Sequence, residues 1–276
     1  MNNNNPYTSS QSFHFEVFSS KEEIFMAIAN DMIDLIKHNN ALDKHTLLIV
    51  PVGPVGHYAY VVKRVIKENI SLRKVTFINM DEYMINQETW IDYHHLLSFR
   101  RYMDEHFYHM IPEALNVPSA QRLFPDPSHV EHIMQVIEAH GGVDACYGGI
   151  GLNGHVAFNE PVPNLSKKKF RNLTTRVVKI APETRVTNAI NELDGAYYHL
   201  PKYAITIGFK EILSSKKIRL YAFRPWHKSV IQRLAFGVDS TEFPVSLLNQ
   251  HQDVRIGLTQ DILPKEMQSH EHKPGV

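Results

Sequence analysis

Short apolar runs that stop abruptly at glycine, proline or acid recur along this chain, with helix-spaced stretches between them. Thr46-Leu-Leu-Ile-Val-Pro51, Lys74-Val-Thr-Phe-Ile-Asn-Met80, Val143 to Tyr147, Tyr203 to Gly208, Ile218 to Phe223 and Val254 to Gly257 are of this kind. Runs of this length without polar alternation read as strands buried on both faces. Phe13 to Phe18 alternates and reads as a further strand. Ile24, Ile28, Met32 and Ile36 keep helical spacing behind a capping box in Ser19-Ser20-Lys21-Glu22-Glu23. Other helices fit 57–68, 91–108, 209–214, 227–236 and 244–249, and Asp126-Pro127 opens one more. Strands separated by helices predict a single-domain α/β fold, a mainly parallel Rossmann-like sheet with helices on both faces. The expected domain spans 13–267, between polar disordered tails at 1–12 and 268–276.

Several function classes are disfavoured at once. Lys+Arg and Asp+Glu balance at 29 each, so the basic excess of a nucleic-acid binder is missing. No apolar stretch approaches the roughly 20 residues that span a bilayer, and the N-terminus lacks the regions of a signal peptide. The single cysteine, Cys146, excludes an intramolecular disulfide and suits a reducing compartment, so a cytoplasmic protein is expected. None of the 17 histidines falls in a zincin pattern and no cysteine cluster supports them, so no obligatory metal is expected. A homo-oligomer and a monomer are both compatible with the sequence.

In parallel sheets ligands bind beyond the carboxyl ends of the strands, which directs attention to 51–57, 80–83, 148–161 and 224–228. Gly149-Ile-Gly-Leu-Asn-Gly154 matches the dinucleotide pattern, yet Pro161 and Pro163 discourage the helix that should follow. Gly149, Gly151 and Gly154, with Gly53 and Gly56 in the first loop, read instead as backbone cradles for an anionic or hydroxylated ligand, and no cofactor is expected. His155 and Glu160 lie close enough in sequence to form a proton-transfer pair. Asp81 and Glu82 form a paired carboxylate where a strand ends, with a solvated acidic turn as the alternative. Arg224-Pro-Trp-His-Lys228 reads either as an anion site at a helix start or as a solvated basic turn.

Taken together, Phe77-Ile-Asn-Met-Asp-Glu-Tyr83 and Gly148-Gly-Ile-Gly-Leu-Asn-Gly-His-Val-Ala-Phe-Asn-Glu-Pro161 resemble the glucosamine-6-phosphate deaminase (isomerase) family. Thr184-Arg-Val, Pro201 to Gly208 and Phe243 to His251 extend the resemblance over nearly the whole ordered chain. The related 6-phosphogluconolactonases share the fold and the Gly-His pair. They typically lack the Asn-Glu-Pro continuation and carry Asp-Glu-Arg. The resemblance implies cofactor-free conversion of an amino-sugar phosphate to a ketose phosphate and ammonia. By position, His155 would open the sugar ring, Asp81 would move a proton between C2 and C1, and Glu160 would tune His155. Lys228 matches a phosphate-binding lysine, and Arg185 and Glu82 fall in the matched motifs as candidate substrate contacts.

The departures fall mostly on the phosphate end. The resemblance would place an acid at Asn153, threonines at Val52 and Val55, and an arginine at Ile190; Pro54 also removes an N–H donor. Each missing charge-assisted hydrogen bond is worth about 1.5–3 kcal/mol. Lys167-Lys-Lys169 and Arg171 could replace the anion grip or form a solvated loop. These losses predict poor binding of the family's usual substrate. Either the chain turns over a different sugar derivative, or it binds a sugar as a regulator. An enzyme with a handicapped His155 would gain rate from Asn153→Asp.

Overall fold

The computed structural model describes residues 13–268 apart from residue 54, so the expected tail at 1–12 and nearly all of that at 268–276 lie outside the described residues. The main sheet is built from β1 (His14–Phe18), β2 (Thr46–Val50), β3 (Val75–Asn79), β5 (Arg122–Leu123), β6 (Ala145–Gly149), β9 (Ile218–Ala222) and β10 (Val254–Thr259). They are ordered β1-β10-β9-β6-β2-β3-β5, and every neighbouring pair is parallel. The expected α/β class with a mainly parallel sheet is the one found.

β2 shows why these apolar runs become central strands. All of its residues are buried, and successive side chains point to opposite faces. Leu47 and Ile49 join the core containing Ile133, Ile137, Phe209 and Leu234, while Leu48 and Val50 join the core containing Ile24, Met32, Val61 and Phe77. Burying each such side chain contributes roughly 1.5–3 kcal/mol, and a one-residue slip would exchange the two sets. The second core is covered by α1 (Lys21–Ala41) and α2 (His57–Lys67). The first is covered by α4 (His132–His140), α7 (Phe209–Leu213) and α8 (His227–Phe236). At the start of α1 half of the expected capping box forms, Glu23 N donating to the N-cap Ser20 Oγ at 3.2 Å. The Glu23 carboxylate reaches one residue past the cap and accepts from Ser19 N at 2.9 Å.

A second, antiparallel sheet was not anticipated. It contains β4 (Asp81–Met84), β7 (Arg176–Lys179) and β8 (Tyr203–Thr206) in the order β4-β8-β7. The run from Tyr203 to Gly208 was assigned to the main sheet, because an apolar run reports burial and not the partner strand. Met80 joins the sheets: its N–H donates to Val50 O at 3.1 Å and its carbonyl accepts from Ile207 N at 2.8 Å. Asp81 therefore sits at the seam, one residue beyond Met80.

The remaining helices are α3 (Phe99–His106), α5 (Lys167–Arg171), α6 (Pro182–Glu192) and α9 (Lys265–Gln268). The helix expected over 91–108 is the shorter α3, which Ser98 caps. Asp126-Pro127 makes a turn in which Asp126 Oδ1 accepts from Ser128 N at 2.8 Å, and α4 starts only at His132. The segment at 244–249 is a 3-10 helix over Pro244–Gln250. After Gly154 the next helix is α5, separated by a run of turns.

Candidate active site

A cavity of about 550 Å³ opens over the carboxyl ends of β2, β3, β6 and β9, where an open parallel sheet places ligands. Asp81 and His155 both line it, as do Gly53, Gly56, Gly149 and Gly151. The loop after β6 is shaped around the imidazole. A Cβ on Gly151 would lie 2.0 Å from His155 Cε1, so only glycine lets the ring rest on this backbone. Gly154 takes φ +81° and closes the turn by donating its N–H to Gly151 O at 3.0 Å. Ala157, which also lines the cavity, is held at φ 54°. That conformation costs an alanine roughly 1–2 kcal/mol and is the kind of strain found at functional sites.

Asn153 determines the state of His155. Its Nδ2 donates to Glu160 Oε2 at 2.8 Å and to Glu183 Oε1 at 3.0 Å. Only an N–H can serve two carboxylates, so the amide oxygen must face the ring, 2.8 Å from His155 Nδ1. His155 therefore carries its proton on Nδ1 and offers Nε2 as a proton acceptor. When Nε2 is protonated, Glu160 Oε2 stands 3.4 Å from Nδ1 to face the new charge. Glu160 is ready for this role. Burial pushes its carboxyl up, but hydrogen bonding and attraction to His155, with bonds from Asn153 and Thr184, outweigh burial and hold it below the usual range. The carboxylate expected at 153 therefore has a counterpart in Glu160, which stands behind the ring.

Asp81 has the opposite environment. Burial, with the neighbouring Glu82 charge adding to it, pushes its carboxyl up to about 8. Before a ligand binds, it therefore keeps its proton through neutral pH. A cationic amine bound beside it would favour the carboxylate.

Three candidates lie elsewhere. The Glu82 carboxylate is buried against the start of α3. It accepts from Phe99 N, Arg100 N and Arg100 Nε, each at 3.0 Å, and cannot also hold substrate. Glu82→Ala is expected to lower stability by roughly 3 kcal/mol, read from urea unfolding, because Arg100 and two helix amides lose their acceptor. Arg185 donates to Tyr197 Oη at 2.8 Å and Leu200 O at 2.9 Å, tying α6 to the segment before β8. Lys228 is exposed, and neither it nor Arg185 lines the cavity. Helical spacing explains Lys228: on α8 it points outward, while its neighbour His227 points in. Gly154 shapes the turn, and Asn153 and Glu160 act from behind His155. Lys167, Lys168 and Lys169 are exposed, and Arg171 donates to Leu247 O, so this basic stretch does not reach the cavity.

Other lining groups were missed. α6 turns Thr184, Thr187, Asn188 and Asn191 toward the cavity, an i, i+3, i+4, i+7 polar stripe that was legible once a helix was sought there. Asn188 Nδ2 donates to Tyr83 Oη at 3.0 Å. Ile190 is not among the residues that line the cavity and is 64% exposed. His227 bridges two loops, donating from Nε2 to Ile150 O at 2.8 Å and accepting from Arg224 N at 2.9 Å on Nδ1. Burial pushes it down to about 4, so it stays neutral. Among the described residues, no three His, Cys, Asp or Glu side chains converge as metal ligands would, and no helix is long and apolar enough to cross a membrane.

Comparison with known proteins agrees with this geometry. No protein-family model matches the chain. It is 31% identical over 215 residues to a glucosamine-6-phosphate deaminase of Geobacillus sp. (strain WCH70), covering 76% of this chain and 79% of that one. It is also 31% identical over 232 residues to glucosamine-6-phosphate deaminase 2 of Bacillus subtilis (strain 168), covering 80% and 86%. Among solved structures, a monomeric glucosamine-6-phosphate deaminase superposes with a TM-score of 0.78 at 26% identity, over 91% of this chain and 98% of that one. A 6-phosphogluconolactonase from Trypanosoma brucei, at TM-score 0.62 and 17% identity, shares the fold. With curated relatives matched over most of their length and one sheet architecture throughout, the chain belongs to the glucosamine-6-phosphate deaminase family.

Proposed function

We propose that the chain is a deaminating isomerase that converts an amino sugar, or its phosphate, to the corresponding ketose and ammonia by acid–base chemistry, without a cofactor. The observation that carries this reading is one cavity holding an imidazole fixed as an Nε2 base and a carboxyl pushed up to about 8. His155 Nε2 takes the C1 hydroxyl proton and hands it to the ring oxygen as the C1–O bond breaks, so the sugar opens to its aldehyde. The Asp81 carboxylate then removes the C2 proton. The C–H electron pair forms C1=C2 while the carbonyl pair moves to O1, which takes a proton from the solvent, giving an enolamine. Return of a proton to C1 leaves an imine at C2, which water hydrolyses to ketone and ammonia. Thr184 Oγ1, 3.1 Å from Glu160 Oε2, holds the carboxylate against the ring throughout. The fully buried thiol of Cys146 suits a reducing cytoplasm.

The test is ammonia release from a panel of amino-sugar phosphates and free amino sugars. Wild type is expected to release ammonia from at least one, and His155→Gln to lose roughly 10²–10⁴-fold in rate. Saturable sugar binding with no ammonia from any member would replace this reading with that of a sugar-sensing regulator.

A further inference from the structure

The cavity is larger than one hexose ring needs, since about 550 Å³ is the size of sites that enclose drug-sized ligands. Two different surfaces line it. One is the reactive surface of Asp81, His155 and the hydroxyl and amide face of α6. The other is formed by Phe25 from α1, Val52 and Val55 from the loop after β2, and Phe223 from the loop after β9, all packed on the same core.

This second surface lies where the fold would ordinarily offer an anion site. A helix start ordinarily favours anions through its amides and dipole, but at the start of α2 the Tyr58 N–H is already given to Val55 O at 3.2 Å. An aromatic ring also covers this helix start. A Cβ on Gly56, the residue before α2, would lie 2.3 Å from Phe25 Cε2, and Phe25 meets Phe223 edge-on at 5.4 Å between centroids. Val52 and Val55 add no hydroxyl.

The lining cations do not compensate. Arg224 Nη1 donates to Asn191 Oδ1 at 2.6 Å, and its Nη2 lies 4.0 Å from Glu192 Oε1. Glu192 itself lines the cavity, and its charge adds to burial in pushing the Tyr102 hydroxyl up. A phosphate would meet this carboxylate as well as the arginine. Lys21, at the mouth, is 59% exposed and stands 3.8 Å from Glu22. A solvated lysine is a weak holder for a dianion.

Resting on the deaminase reading, we infer that the substrate is an amino sugar without a terminal phosphate. The carbon farthest from the aldehyde carries an uncharged, apolar-faced group, a methyl or a short acyl ester, seated against Phe25, Val52, Val55 and Phe223. The stripe of α6 then meets the sugar hydroxyls with neutral amides and hydroxyls, which suit an uncharged polyol.

The experiment measures kcat/KM for ammonia release from glucosamine 6-phosphate, glucosamine, 6-deoxyglucosamine and 6-O-acetylglucosamine. The 6-deoxy or 6-O-acetyl sugar is expected to exceed the phosphate ester by roughly tenfold or more. Phe25→Ala/Val55→Thr is expected to narrow that ratio, mainly by lowering KM for the phosphate. Preference for the phosphate ester would overturn the inference while leaving the deaminase reading intact. If none of the four releases ammonia, the deaminase reading fails, and calorimetric titration of the same four sugars decides the subsite separately. Tighter binding of the uncharged sugars supports it; tighter binding of the phosphate, or no binding by any, overturns it.

Discussion

Asp81→Asn is expected to reduce ammonia release by roughly 10²–10⁴-fold and, at the same time, to raise the melting temperature at pH 8. Both effects come from the burial that pushes the carboxyl up to about 8. In the unfolded chain Asp81 ionises near pH 4. Between pH 4 and 8 the folded protein keeps a proton that the unfolded chain releases, so this residue's contribution to stability falls as pH rises through that window. An asparagine has no proton to lose. The stability gain of the variant should therefore be near zero at pH 4, grow toward pH 8 and level off above it, as thermal melts across that range would record. A variant that lost activity without becoming more stable at pH 8 would show that Asp81 is not a desolvated acid.

Asn153→Asp is expected to lower activity by about tenfold or more, which reverses the gain expected from the sequence alone. The amide nitrogen at 153 donates to Glu160 at 2.8 Å and to Glu183 at 3.0 Å. A carboxylate in its place would turn two hydrogen bonds into two like-charge contacts and raise the pKa of at least one of the acids. Glu160, the more buried of the two, would be pulled from His155, and the ring would lose the order that fixes its tautomer. A stability loss of about 1–3 kcal/mol should accompany this, read from urea unfolding beside initial rates. A faster Asn153→Asp enzyme would mean that Asn153 handicaps the ring, as the sequence suggested.

The sequence displayed the central sheet because burial on both faces leaves a continuous apolar run, as in Thr46–Val50. It concealed the second sheet for the same reason, since Tyr203–Thr206 is apolar whichever sheet it joins. Asp81 and His155 were legible because each follows a strand that delivers it to the carboxyl edge. Glu82 was misassigned because a pair of adjacent carboxylates in a strand must point to opposite sides, and only the first faces the cavity. Lys228 is turned outward by one residue of helical rotation from the buried His227. The roles of Asn153 and Glu183 depend on a contact between the loop after β6 and the start of α6, 30 residues apart, and no local pattern reports such a contact. Phe25 was readable as an apolar residue of α1, but its seat on Gly56 is a tertiary fact.

The most direct test of the chemistry uses an amino sugar labelled with deuterium at C2, chosen as the best substrate of the panel, with ammonia and the label followed together. Removal of the C2 proton by Asp81 requires the label to leave C2 in every turnover that releases ammonia, with a primary isotope effect if that step limits the rate. Ammonia released while the deuterium stays on C2 would contradict the proton transfer assigned to Asp81.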